Sequence, residues 1–295
     1  MQNRVMPQGK TLEHEQVRRL AITAVFSDDY FFDRVVLKGG NALAIALGLS
    51  GRSSLDLDFS IENDFEDSAE AAQRLEAALK RRFASVGMVV VDFSFSPRPF
   101  TPREGSPRWG GYFAEFKLLD EARYERIGDD DKQARGRDSM VIGPNQQRKF
   151  TIDLSKFEYT QGSIVREIDS FDVRVYTPEM IALEKLRAIC QQMREYTLNR
   201  TPSARARDFF DIYQIHVITG FRVGSPENKE LLRHIFAAKD VPLELLQLIA
   251  AQREFHRPDW DSVRLSINND KLKEFDFYFD FVVEEVTSLG VIEGL

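Results

Sequence analysis

Cysteine is almost missing from this sequence. Cys190 stands alone, and one thiol excludes an internal disulfide and any cysteine-rich zinc centre. Its apolar neighbours suggest an inert core position. Histidine is nearly as scarce: His14, His216, His234 and His256 are scattered without ligand-like spacing, so each reads as structural or surface. Long apolar runs are lacking too. Ala42–Leu49 and Met88–Phe95 fall far short of the roughly 20 residues a membrane-spanning helix needs, which excludes a membrane partner. The segment Met1–Pro7 has one Arg and no apolar stretch leading to a small-residue cleavage site, so it does not read as a signal peptide and a cytoplasmic protein is expected. Finally, positive charge is in deficit. Forty Lys and Arg face 47 Asp and Glu, a net charge of −7, which excludes a protein that coats nucleic acid through a general positive field and leaves room only for a local basic patch.

What is present divides in two. The early chain alternates helix-like and strand-like patterns: a helix over Glu13–Phe26, a β-branched run Arg34–Lys38 closed by Gly39-Gly40, and a second helix from Asn41 toward Gly48. Leu55–Ile61 alternates strictly, with Leu55, Leu57, Phe59 and Ile61 on one side and Asp56, Asp58 and Ser60 on the other. Ser68–Val86 is amphipathic; Met88–Ser96, Tyr112–Leu119 and Lys149–Leu154 read as further strands. Pro97–Gly111, with four prolines and three glycines, must be loop. Charge-dense Glu121–Asp138 reads as a mobile surface excursion. From Thr177 onward only helical patterns follow, opened by Thr177-Pro178-Glu179, where threonine suits the cap and proline the first turn. The expected architecture is α+β: a mixed-sheet domain over 1–172 and a helical domain over 173–295, with no internal repeat.

Asp56 and Asp58, two apart on a strand, project from the same face with backbones roughly 6 to 7 Å apart. That spacing suits one hard divalent cation, or a pair of them, held beside substrate phosphates. An Asp-x-Asp is common on solvated strand faces, so its context matters. Gly39-Gly40, between a strand and a helix, offers backbone amides to a phosphate, or else forms only a tight turn. Arg52, Ser53 and Ser54 precede the carboxylate strand with one charge and two hydroxyls.

Leu37-Lys38-Gly39-Gly40-Asn41-Ala42-Leu43 with Arg52-Ser53-Ser54-Leu55-Asp56-Leu57-Asp58-Phe59 resembles the first motif of the AbiEii/AbiGii-type nucleotidyltransferase toxins, which include the MenT proteins. Thr177-Pro178-Glu179 through Glu184-Lys185-Leu186, and Arg205-Ala206-Arg207-Asp208-Phe209-Phe210-Asp211-Ile212, fit the same family in the same order. The resemblance implies a polymerase-beta-like nucleotidyltransferase sheet followed by a helical C-terminal domain. It also implies magnesium, with manganese as an alternative, on Asp56 and Asp58, a nucleotide-phosphate contact at Lys185, and an essential acid at Asp208 or Asp211, the choice between them open. Lys38, Gly39, Gly40, Arg52, Ser53 and Ser54 are the expected nucleotide-binding residues. The fold often carries a third carboxylate on a neighbouring strand; Asp153 is the first candidate and Glu115 the second. Read from spacing alone, Asp208 and Asp211 share a helix face with Arg205 and Arg207 one turn before each, which also describes plain surface ion pairs.

The implied reaction moves a nucleoside monophosphate from a nucleoside triphosphate to an acceptor, an RNA such as a tRNA 3′ end, in a toxin paired with a cognate antitoxin. Arg187, Arg194, Arg200, Arg205 and Arg207 supply a local basic surface for RNA, which Arg98, Arg103 and Arg108 extend. Two other classes compete: a nucleotide-binding toxin or regulator that transfers nothing, and a small-molecule nucleotidyltransferase, which needs an acidic acceptor pocket.

Overall fold

A computed structural model of the protein describes residues 12–46, 56–100, 109–142, 146–199, 201–267 and 272–290. These form two compact units: the first takes the chain up to residue 100 with Gly110–Lys156 and Val165–Val175, the second takes Phe157–Ile164 and the chain from Tyr176 onward. No described helix is long and apolar enough to cross a membrane.

The first unit begins with α1 (His14–Phe26) and a single turn, α2 (Asp29–Phe32), capped by the Asp28 carboxylate on the Tyr30 N–H. Strand β1 (Val35–Leu37) leads into α3 (Gly39–Asn41), which continues as a π-helical turn over Ala42–Ala46 instead of the regular helix expected from Asn41. Then come β2 (Asp56–Ile61), α4 (Ser68–Ala84), β3 (Met88–Arg98), β4 (Gly111–Asp120), α5 (Glu121–Ile127), α6 (Lys132–Asp138), β5 (Phe150–Ser155), β6 (Ile164–Ile168) and β7 (Phe171–Val175). The described strands form one mixed sheet of seven in the order β3-β4-β5-β2-β1-β7-β6. Pairing is parallel for β2 with β5 and β1 with β7, and antiparallel for β1 with β2, β3 with β4 and β4 with β5.

One face of this sheet is the core. Leu57, Phe59 and Ile61, Ile152 and Leu154, and Phe116 and Leu118 are buried on it. They pack with α1 through Phe26, whose ring lies 6.0 Å from that of Phe59, and with α4 through Phe83, 5.7 Å from Phe116. Each large ring taken from water contributes about 2 to 3 kcal/mol, so the strict alternation of β2 and β5 sets which side chains are left on the other face.

Charge-rich Glu121–Asp138 is not a mobile excursion. It folds as α5 and α6 because Asp131 caps the second helix at the Ala134 N–H and Ala134 is buried. Arg135 reaches Asp92, which also accepts from Lys117 at 2.8 Å. Asp92 sits at the β-bulge of β3 with φ 53°. The hairpin β6–β7 carried no sequence signal because its turn is Asp169-Ser170, both at positive φ, where Asn-Gly is the usual mark.

The second unit is helical: α7 (Pro178–Cys190), α8 (Ala206–Thr219), α9 (Pro226–Ala237), a 3-10 stretch Leu243–Gln252, then α10 (Arg253–His256), α11 (Trp260–Ser266) and α12 (Phe275–Thr287). Thr177 caps α7 on the Met180 N–H, with Pro178 in the first turn. Phe209, Phe275 and Phe279 form its aromatic core, with ring separations of 5.0 to 5.6 Å. Segment Phe157–Ile164 joins this unit through Glu158, whose carboxylate accepts from the buried Arg187 at 2.7 Å.

Candidate active site

In the first unit the face of the sheet opposite the core collects the polar side chains. Asp56 lies opposite Thr151 and Asp58 opposite Asp153 in the parallel β2–β5 ladder; the two rows continue on β4 to Glu115 and Phe113. Residues paired across strands project from the same side, so Asp56, Asp58 and Asp153 share one face. Asp56 is exposed and Asp58 and Asp153 are half-buried. The Thr151 hydroxyl donates to Asp56 Oδ1, and Arg98 Nη1 lies 3.3 Å from Asp153 Oδ2. Glu115 is taken by Lys149 at 2.7 Å. Among the described residues no three His, Cys, Asp or Glu side chains are drawn together as a metal cage.

The glycine turn is built against these carboxylates. The Lys38 N–H donates to the Asp58 carbonyl at 2.9 Å, and the fully buried Asn41 donates through Nδ2 to the Asp56 carbonyl at 2.6 Å. Gly39 has φ +70°, and a Cβ there would stand 2.8 Å from Asp58 Oδ2. Only glycine fits both the left-handed backbone and that approach. Arg52, Ser53 and Ser54 lie outside the described residues.

In the second unit Lys185, Asp208 and Asp211 do meet. Lys185 Nζ is 2.8 Å from Asp208 Oδ1 and 2.9 Å from Asp211 Oδ2, and Arg205 Nε donates to Asp208 Oδ2. Asp208 is 5% exposed and Asp211 3%. The sequence reading of two surface ion pairs is corrected in part: Arg205 does pair with Asp208, but both acids are buried and turn inward onto one lysine, because α8 buries that face against α7. Burial alone would raise the Asp208 carboxyl, but Arg205 and Lys185 outweigh it and hold it down at about 2. The fully buried His256 accepts the Arg205 N–H through Nδ1 at 3.0 Å, and burial lowers its pKa to about 4.

The predicted basic surface loses a member. Arg187 is 4% exposed, held by Glu158, Glu184 and the Ile235 carbonyl; Arg194 is exposed, Arg207 is half-buried, and Arg200, Arg103 and Arg108 lie outside the described residues. Cys190 is buried and free, and burial raises its thiol pKa. Sequence reasoning missed Thr151, Asn41 as a strand clamp, and His256. Thr151 was within reach, since it alternates with Phe150 and Ile152 two residues before Asp153.

A search among curated proteins finds no match. Similar solved structures include an antigenic nucleotidyltransferase-like protein from Paracoccidioides brasiliensis, at 16% identity over 78% of this chain and 94% of that one, with a TM-score of 0.36. The antibiotic-resistance factor ANT(2″)-Ia is similar at 14% identity over 79% of this chain and 97% of that one, TM-score 0.36. Its complex with adenylyl-2″-tobramycin gives 13% identity, 76% and 98% coverage, and a TM-score of 0.33. At such values no substrate is carried over. The family of AbiEii nucleotidyl transferase toxins, from type IV toxin–antitoxin systems, matches residues 21–281. The chain belongs to the AbiEii nucleotidyl transferase toxin family.

Proposed function

We propose that this nucleotidyltransferase moves a nucleoside monophosphate from a nucleoside triphosphate to an RNA acceptor, such as a tRNA 3′ end, as the toxin of a pair with a cognate antitoxin. The observation that supports the reading most strongly is the row of hard oxygen donors on the face of the sheet opposite the core, with Asp56 and Asp58 on β2 and Asp153 in register beside Asp58. Two carboxylates plus substrate phosphate oxygens are what magnesium or manganese takes in such sites, so the donor set fits a divalent cation at Asp56 and Asp58. When bound, that cation neutralises the triphosphate and polarises the phosphoryl group under attack.

The remaining roles fall to the chain. The acceptor oxygen attacks the α-phosphorus, the bond to the β-phosphate oxygen breaks, and pyrophosphate leaves. Asp153 is our candidate for receiving the proton of the attacking hydroxyl, and also for a third metal contact. Its partner Arg98 is well exposed, at 65% of its side chain, and an exposed pair of this kind holds by less than about 1 kcal/mol, so it yields readily. Lys38, Gly39 and Gly40 contribute to phosphate binding at the turn beneath Asp58, with Arg52, Ser53 and Ser54 from the segment that precedes β2. Lys185 carries a nucleotide-phosphate contact, and Asp208 and Asp211 act together as the acids that keep it charged and aimed. The two acids form one device, since both bond the same Lys185 Nζ.

The test incubates the purified protein with each labelled nucleoside triphosphate, magnesium and total RNA, alongside Asp56→Ala and Lys185→Ala. Labelled RNA from the wild type alone is expected; no labelled product with any nucleotide or acceptor would overturn the reading.

A further inference from the structure

Phe113 is out of character for its surroundings. On β2, β4 and β5 the face opposite the core carries Asp56, Asp58, Glu115, Lys117, Thr151 and Asp153, and Phe113 is the one aromatic among the described residues of that face. Four nearby rings turn the other way: Tyr112 stacks on Phe95 at 4.9 Å, and Phe116 stacks on Phe150 at 5.4 Å. Phe113 keeps part of its surface in solvent, and its register partner on β5 is Asp153. Above it lies a guanidinium, with the Arg98 Cζ 5.0 Å from the ring centroid. The same guanidinium reaches Asp153 at 3.3 Å.

An aromatic face beside an exposed guanidinium is what single-stranded nucleic acid uses, since the ring stacks a base and the guanidinium takes a phosphate or stacks in turn. We infer that Phe113 and Arg98 form a platform for the terminal nucleotide of the RNA acceptor, beside Asp153, with the base on the Phe113 ring and the adjacent phosphate on Arg98. The inference rests on the RNA-directed reading above and adds where the acceptor end is held. It also assigns Arg98 two partners in turn: Asp153 before RNA binds, and the RNA phosphate afterwards, which frees the Asp153 carboxylate when the acceptor arrives. Phe113 and Arg98 are binding residues on this account and take no part in bond making.

The experiment uses the full chain and a short single-stranded RNA with 2-aminopurine as its 3′-terminal base, whose fluorescence falls on stacking. Binding is titrated without nucleotide, and transfer of labelled nucleotide to the same RNA is measured in parallel. The wild type should quench the probe on binding. Phe113→Leu, which keeps an apolar side chain but cannot stack, should abolish the quench and weaken binding about tenfold, the lower part of the range for one base–aromatic stack. Phe113→Trp should restore both. Arg98→Gln should weaken binding with a shallower salt dependence, leaving the quench at saturation intact. In the transfer assay these variants should raise the acceptor Michaelis constant and leave that of the nucleotide unchanged. Thermal unfolding of each variant reports folding separately. If wild-type protein labels RNA while Phe113→Leu binds, quenches and turns over as the wild type does, the platform is overturned and the transferase reading stands. If the wild type transfers nucleotide only to small molecules, or not at all, both fall.

Discussion

The two clusters of aspartates in this protein are made of the same side chain and obey opposite rules. Asp56 and Asp58 stand on the face of the sheet opposite the core, where Asp56 is exposed. Asp208 and Asp211 are buried in the helical unit against Lys185 and Arg205, so that two negative charges meet two positive ones. On the proposed reading, carboxylates of the first kind hold a cation, and removing one should take away function with little effect on the fold. Those of the second kind are bound up with stability, because a buried ion pair broken on one side leaves a charge that nothing compensates.

Four predictions press on this difference, the largest first. Lys185→Met should lower the unfolding free energy by about 3 to 5 kcal/mol, measured by urea denaturation; a loss under about 1 kcal/mol would remove the contrast. Asp58→Asn should reduce nucleotide transfer on the order of a thousandfold, while its unfolding free energy stays within about 0.5 kcal/mol of the wild type. A comparable loss of both would mean that the sheet carboxylates are structural.

The third concerns acid. Burial holds the His256 pKa at about 4 against about 6.5 for an unfolded histidine, so the unfolded chain takes up a proton first. Stability should fall by up to about 3 kcal/mol as pH drops from about 6.5 to 4. Asp208, held at about 2 against about 3.9 unfolded, adds a loss of about 2 kcal/mol on going from pH 4 to 2. Denaturation at a series of pH values should show both slopes, and His256→Gln should flatten the first alone. The smallest effect belongs to Gly39→Ala. The left-handed backbone and the approach to Asp58 Oδ2 should cost about 1 to 2 kcal/mol, with transfer falling as the carboxylate is pushed aside; an alanine variant as active and stable as the wild type would mean that the turn does not register Asp58.

These contrasts were only partly legible beforehand. Period-two alternation in β2 and β5 announced which side chains share the face opposite the core, because strand geometry leaves no choice once one face is apolar. The same logic named Asp153, though not its register with Asp58, which depends on how non-adjacent strands pair. Helical spacing went only part of the way for Asp208 and Asp211: it found the Arg205–Asp208 pair but not the burial of both acids against Lys185. A three-residue step puts them on one face, but sequence does not say whether that face looks to solvent or to α7, so ion pairs along the helix and ion pairs across it look alike. The hairpin β6–β7 and the helices α5 and α6 were hidden for a related reason: an Asp-Ser turn and a bulged Asp92 waiting for Arg135 are tertiary arrangements. Phe113 could not be flagged at all, since one phenylalanine in an alternating strand takes on meaning only when its neighbours across the sheet are known.

The central claim is that Asp56 and Asp58 hold the metal, and its most direct test is a titration with manganese, followed by the paramagnetic resonance of the free ion, in the presence of a non-hydrolysable nucleoside triphosphate analogue. Saturable binding to the wild type is expected, weakened by at least about tenfold in Asp56→Asn and in Asp58→Asn. Binding to both variants with wild-type affinity would contradict the account.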